Sequence, residues 1–128
     1  MKIAATIARL LLGAIFLFFG SNLFLHFLPM GPMPAGAAGQ FFAVLATTHY
    51  IYAIAFFQVA PAILLLINRY VPLGLALLAP VVVNIFLVHL LMAPSGLPVA
   101  LVVAILWIVV ALGVRSAFAG LLQRRVEG

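Results

Sequence analysis

The chain has 128 residues, of which 69% are apolar and 5% are charged, with six Lys or Arg against one acidic residue. A globular domain is about 45–50% apolar and about 25% charged. This composition excludes a soluble enzyme core and a disordered chain, and it excludes a nucleic-acid-binding protein because the net charge of +5 comes from scattered residues. No cysteine is present, which excludes disulfides, a thiol relay and a zinc–cysteine site.

The first apolar segment covers residues 3–27 and is interrupted only by Thr6, Arg9, Ser21, Asn22 and His26. At about 1.5 Å per helical residue it crosses a bilayer core of about 30 Å with some tilt. We expect it to remain as an uncleaved span, because its apolar character continues past Gly20 without the cleavage site of a signal peptide. The proline-rich segment 29–34 then predicts a loop that lies against the membrane surface.

The next apolar segment, residues 36–67, would be about 48 Å long as one helix and must therefore break. Its polar cluster at residues 47–49 predicts a short surface or re-entrant helix over 37–46 and a second span over 50–67. A third span over 72–92 and a fourth over 98–118 follow, separated by a Pro-Ser-Gly loop. The pattern predicts an all-α fold, an integral membrane four-helix bundle formed by residues 1–128 as a single transmembrane domain.

All the basic residues fall on one side of the predicted membrane, namely Lys2, Arg9, Arg69, Arg115, Arg124 and Arg125. The loops on the opposite side carry no charge. By the positive-inside rule, both termini and the loop between spans two and three are predicted to be cytoplasmic.

The candidate site residues are the few polar side chains in or beside the spans: Asn22, His26, His49, Gln58, Asn84 and His89. Different helices place the three histidines near the outward face, and the three amides lie deeper, which predicts a polar pocket opening outward. Three interpretations stay open: hydrogen bonds between helices, a ligand site, and metal or haem ligation. The last is the least favoured because no carboxylate is present to orient a histidine ring.

Residue types that carry out common reactions are missing from the spans. They contain no Asp, Glu or Lys, which argues against a pump or an ion-coupled carrier. Nothing resembles a nucleophile with its base, a phosphate-binding glycine loop or a pair of carboxylates. Redox chemistry would need a bound cofactor, so we do not expect an enzyme on its own.

Several segments carry a resemblance to a known family. Residues 19–30, 68–73, 79–90 and 94–98 read FGSNLFLHFLPM, NRYVPL, APVVVNIFLVHL and PSGLP. In this order and spacing they resemble the DoxX-like family of small bacterial membrane proteins, over about residues 5–120. The resemblance implies a four-helix bundle in the bacterial inner membrane. The founding member of the family is described as a subunit of a terminal quinol oxidase, and other members accompany thiol-related oxidoreductases.

The family's asparagines and histidines in the first and third spans fall on Asn22, His26, Asn84 and His89. The chain departs from relatives at four positions: Gln58 for glutamate, Leu23 for lysine, His49 for glycine and Ala93 for aspartate. A charged pair is therefore absent, which weakens any proton-coupled role taken from the family. The neutral amide of Gln58 can still hydrogen-bond a carbonyl ligand such as a quinone head group.

Two functions follow as expectations. The first is a non-catalytic accessory subunit of a quinone-linked membrane oxidoreductase complex, in which the polar residues form a buried network. The second is a stand-alone binding or carrier protein for a quinone, a lipid or another small apolar ligand held by the polar pocket. Expected partners are the lipid bilayer, redox subunits or further copies of the chain, and no nucleic acid; quinone is the candidate cofactor, and a metal or haem is not expected.

Overall fold

The computed structural model describes residues 2–28 and 35–125, so the predicted proline-rich loop at 29–34 lies outside the described residues. The described chain is helical and contains no strand, which confirms the all-α prediction. Its α-helices are α1 (Lys2–Leu25), α2 (Gly36–Thr47), α3 (Tyr50–Leu66), α4 (Val71–Leu91) and α5 (Leu97–Gly113). Two 3-10 helices follow α4 and α5, at Pro94–Gly96 and Arg115–Leu122.

The chain turns by 89° between α2 and α3, at the polar cluster where the sequence predicts a break. The hydroxyls of Thr47 and Thr48 donate to the carbonyls of Ala43 and Val44, at 2.6 Å and 2.7 Å. The Val44 carbonyl also accepts the amide N–H of Thr48 at 3.0 Å, so the Thr48 hydroxyl adds a second bond to a carbonyl near the end of α2, a kind of bond that often bends a helix. His49 then takes a left-handed conformation with φ of 62°, which redirects the backbone into α3.

The last helix ends earlier than the sequence predicts. The predicted fourth span runs to Phe118, whereas α5 ends at Gly113 and continues as a 3-10 helix. Val114 leaves the helical region, with φ of −123° and ψ of 25°. A Cβ atom at Gly113 would lie 2.7 Å from Cβ of Ala5, so the glycine lets the end of α5 approach α1 closely.

Within residues 2–28 and 35–125, three helical segments are long and apolar enough to cross a membrane: Lys2–Leu25, Val71–Leu91 and Pro94–Gly113. The bent pair of α2 and α3 gives a fourth candidate if it is counted as one broken span. α3 alone has 17 residues and a length of about 26 Å, slightly less than a bilayer core of about 30 Å. The structure therefore contains three to four candidate membrane-spanning helices.

The long helices pack side by side around a common core. α1 contacts α3 and α5, α4 contacts the same two helices, and α2 packs against α3. The indole Nε1 of Trp107 on α5 donates to the carbonyl of Leu75 on α4, at 2.9 Å. The core consists of apolar side chains that include Leu12, Phe16, Leu65, Leu75, Leu78 and Val110.

The most extensive contact between the described helices is that of α1 and α3. A Cβ atom at Gly13 would lie 2.8 Å from Cγ of Leu66, and one at Gly20 would lie 2.9 Å from Cγ2 of Val59. Real Cβ atoms do not come this close to a neighbour. The two glycines, two turns apart on α1, therefore allow its backbone to lie directly against α3.

The outer faces of the helices are apolar. Large side chains that are about half exposed occur on every long helix, including Ile7, Phe56, Leu73, Val83, Ile105 and Ile108. A contiguous apolar surface of this extent is unfavourable in water and suits a hydrocarbon environment. The long apolar helices with their exposed apolar faces indicate a multi-pass membrane protein.

Candidate functional site

Asn22 lies near the end of α1 and is almost fully buried, with 2% of its surface exposed. Its side-chain Oδ1 accepts the amide N–H of Leu28 at 2.8 Å, and its Nδ2 donates to the Leu28 carbonyl at 3.2 Å. The Asn22 carbonyl also accepts the amide N–H of His26 at 2.8 Å. Asn22 therefore binds the backbone that leaves α1 and holds the following turn in place.

His26 and His49 are both exposed and both adopt left-handed backbone conformations, with φ of 53° and 62°. His26 directly follows the last residue of α1, and His49 directly precedes α3. The rings of His49 and Tyr52 are stacked with centroids 5.8 Å apart, and Tyr52 also stacks on Phe24 at 5.6 Å. This aromatic stack joins the end of α1 to the start of α3.

Gln58 is buried on α3, with 9% of its surface exposed. Its Cβ would lie 3.0 Å from a Cβ atom at Gly20, so the side chain begins where the backbone of α1 lies directly against α3. Within residues 2–28 and 35–125, the Gln58 amide forms no side-chain hydrogen bond. Its donors and acceptor thus remain available to a ligand or to water.

The side chains of Asn84 and His89 form hydrogen bonds to the backbone of α4 itself. Nδ2 of Asn84 donates to the carbonyl of Pro80 at 2.8 Å, and Asn84 is exposed. Nδ1 of His89 lies 2.7 Å from the carbonyl of Ile85 and donates to it, since a carbonyl only accepts. The His89 ring covers Gly96, where a Cβ atom would lie 2.1 Å from Cδ2 of the ring. Both side chains therefore bond one turn back along their own helix.

The six predicted site residues do not hydrogen-bond to one another in the described part of the chain. The contacts bring the end of α1 to the start of α3 through the aromatic stack, and they join the end of α4 to the following turn through His89 and Gly96. Among the described residues, no group of three or more His, Cys, Asp and Glu side chains could hold a metal ion. The local bonding favours structural roles for Asn22, Asn84 and His89.

A cleft that the sequence did not predict lies at the opposite end of the molecule. It has a volume of about 470 Å³ and forms where α1 begins, α3 joins α4, and α5 ends. We call it the basic cleft; its polar lining residues are Lys2, Thr6, Arg9, Asn68, Arg115 and Ser116. In the sequence the basic residues predict the orientation of the spans, and the signal for a site at this end is Arg9, a charge inside an apolar segment.

Arg9 is partly buried at this cleft. Its Nη1 donates to the carbonyl of Leu65, in the last turn of α3. A cation in the last turn of a helix is favourable because the helix dipole places negative charge there. Arg9 thus joins α1 to α3 at the basic end, as the aromatic stack does at the other end.

Comparison of the chain with protein-family models, with curated proteins and with solved structures finds no match. The resemblance to the DoxX-like family therefore depends on the sequence motifs given above. The function is accordingly inferred from the residues of the chain and their contacts.

Proposed function

We propose that this chain is a non-catalytic integral membrane protein that serves as an accessory subunit of a quinone-linked membrane oxidoreductase complex. In this proposal α1, α3, α4 and α5 cross the bacterial inner membrane as a four-helix bundle, and α2 lies along its outer surface or re-enters it. One observation carries the proposal. Five of the six candidate polar side chains are exposed or bond to the backbone beside them, and the sixth, Gln58, is buried on α3 and bonds to none of them, so the six do not converge on one point.

The proposed orientation of the chain in the membrane follows from the positions of its basic residues. Lys2, Arg9 and Arg115 surround a single cleft, so the basic residues of α1 and of the segment after α5 share one end of the molecule. Basic residues are enriched on the cytoplasmic side of membrane proteins. We therefore place this end, with both termini, in the cytoplasm, and the three histidines at the outer face.

The surface left for a partner is extensive. Only 17% of the most apolar part of Pro94–Gly113 is buried, against 28% for α1 and 33% for α4. Ile105 and Ile108 on α5 are more than half exposed. Lipid covers such a face in an isolated bundle, and an apolar helix of a second subunit covers it equally well, so we assign partner contact to α5.

The second candidate function is a stand-alone binding protein for a quinone or another small apolar ligand. A specific observation favours it: Gln58 is largely buried on α3, its amide forms no side-chain hydrogen bond to another described residue, and the amide N and O atoms are not fully enclosed. An amide can both donate to and accept from a ligand. On this alternative a quinone carbonyl accepts from Gln58 beside Gly20.

Extraction of the chain from native membranes directly into lipid nanodiscs, followed by intact-complex mass spectrometry, tests the two functions. We expect redox subunits to co-purify at a fixed ratio, and we expect Gln58→Leu to change that ratio by less than twofold. Asn84→Leu, which removes an exposed amide, is the matched control. A chain that purifies alone with one quinone per bundle, and loses that quinone in Gln58→Leu only, would overturn the accessory-subunit proposal and support the alternative.

A further inference from the structure

The basic cleft has positive charge on several of its walls and no negative charge among its lining residues. Lys2 and Arg9 belong to α1, and Arg115 follows α5. The single acidic residue of the sequence, Glu127, lies outside the described residues. Cations placed together repel one another, so an anion that binds between them gains from several charges at once. The cleft is therefore built to accept an anionic group.

The donors at the cleft suit oxygen atoms that carry negative charge. The guanidinium of Arg9 has five N–H donors, and Nη1 donates to the Leu65 carbonyl. No hydrogen bond joins the remaining Arg9 donors to another described residue. Guanidinium groups match phosphate oxygens in geometry as well as in charge. The first turn of α1, which includes Lys2 and Ala5, adds the positive end of the helix dipole.

The rest of the lining is apolar. Val71 and Val110 are buried, and Leu112 and Val114 lie beside them at the end of α5. A volume of about 470 Å³ falls in the range of about 300–1,000 Å³ that is typical of sites for small molecules. Charge at the rim and apolar side chains beside it match an amphiphile, whose head group is anionic and whose tail enters the bilayer. A free anion would use the rim alone.

We propose that the basic cleft binds the phosphate head group of an anionic phospholipid from the inner leaflet. This inference rests on the membrane insertion proposed above and on the placement of the basic end in the cytoplasm. Basic pockets between transmembrane helices on that side of a membrane recognise lipid head groups of this kind. The bound lipid holds the start of α1, the α3–α4 turn and the end of α5 together.

Native mass spectrometry of the purified full-length chain tests the proposal, with phosphatidylglycerol as the anionic probe and phosphatidylcholine as the zwitterionic one. We expect phosphatidylglycerol to bind at least tenfold more tightly than phosphatidylcholine. Each charge removed near a membrane surface weakens binding by about fivefold, so Lys2→Gln combined with Arg115→Gln should lower the affinity by about 25-fold. These two residues are exposed, so their replacement leaves the core intact.

Arg124→Gln combined with Arg125→Gln is the matched control, since it removes the same charge outside the basic cleft. An equal loss of affinity in this control, or no preference between the two lipids, would overturn the proposal. Displacement of the lipid by millimolar inorganic phosphate would overturn it as well, because the cleft would then recognise a free anion. Resistance of the chain to alkaline carbonate extraction separates these outcomes from a failure of membrane insertion. A chain that carbonate releases contradicts both proposals.

Discussion

Replacing Gly20 by leucine is expected to lower the free energy of unfolding by about 3 kcal/mol. At Gly20 even a Cβ atom would lie 2.9 Å from Cγ2 of Val59 and 3.0 Å from Cβ of Gln58, which are on the facing helix α3. A leucine side chain must therefore push α1 away from α3 or force the side chains of α3 out of their rotamers. Both changes disrupt the contact between these two helices, which is the most extensive among the described helices.

Unfolding in bicelles, followed by the fluorescence of the single tryptophan Trp107, measures this effect. Gly120→Leu is the control, because nothing lies within 4 Å of a Cβ atom at Gly120. We expect the control to change stability by less than about 0.5 kcal/mol. Equal stabilities for the two variants would show that α1 and α3 do not pack as described.

Asn22→Leu is expected to lower the free energy of unfolding by about 2 kcal/mol, whereas Asn84→Leu should change it by less than about 0.5 kcal/mol. The buried Asn22 side chain bonds both the N–H and the carbonyl of Leu28, and leucine would leave these two groups without that partner. Asn84 is exposed and donates only to the Pro80 carbonyl of its own helix. The same chemical change therefore has unequal consequences at the two positions.

This pair of variants also bears on function, since the motifs that resemble the DoxX-like family align Asn22 and Asn84 with the family's asparagines in the first and third spans. The same bicelle unfolding assay gives stability, and the co-purification experiment gives assembly. A loss of bound quinone in Asn84→Leu without a loss of stability would contradict a structural role for that amide and place it in a ligand site. A large loss of stability in the same variant would contradict the unequal roles of the two amides, because Asn84 is exposed and bonds only within its own helix.

Much of the fold follows from apolar length and from the positions of polar clusters. The break between α2 and α3 was predictable because a single helix over residues 36–67 exceeds the bilayer thickness and because that segment contains one polar cluster, at residues 47–49. The end of α5 was not predictable in this way. Apolar character continues to Phe118, and the helix ends at Gly113, where the backbone lies against Ala5 of a distant helix.

The candidate site was less predictable than the fold. Helical spacing places Asn22 and His26 on one stripe, but the chain leaves the helix at His26 and returns Leu28 to Asn22. Periodicity contains no information on such a turn. The basic cleft likewise depends on three segments far apart in sequence, whose proximity only the packing of α1 against α5 and of α3 against α4 reveals.

The most direct test of a four-span bundle with its basic end in the cytoplasm is the labelling of single cysteines in intact cells, since the chain has no cysteine of its own. Thr48→Cys and Ser95→Cys should react with a membrane-impermeant maleimide added outside. Ile67→Cys and Ser116→Cys, at the ends of α3 and α5, should react only after the cells are permeabilised. Reaction of Ile67→Cys from outside would mean that α3 re-enters without crossing, and it would contradict the four-span bundle.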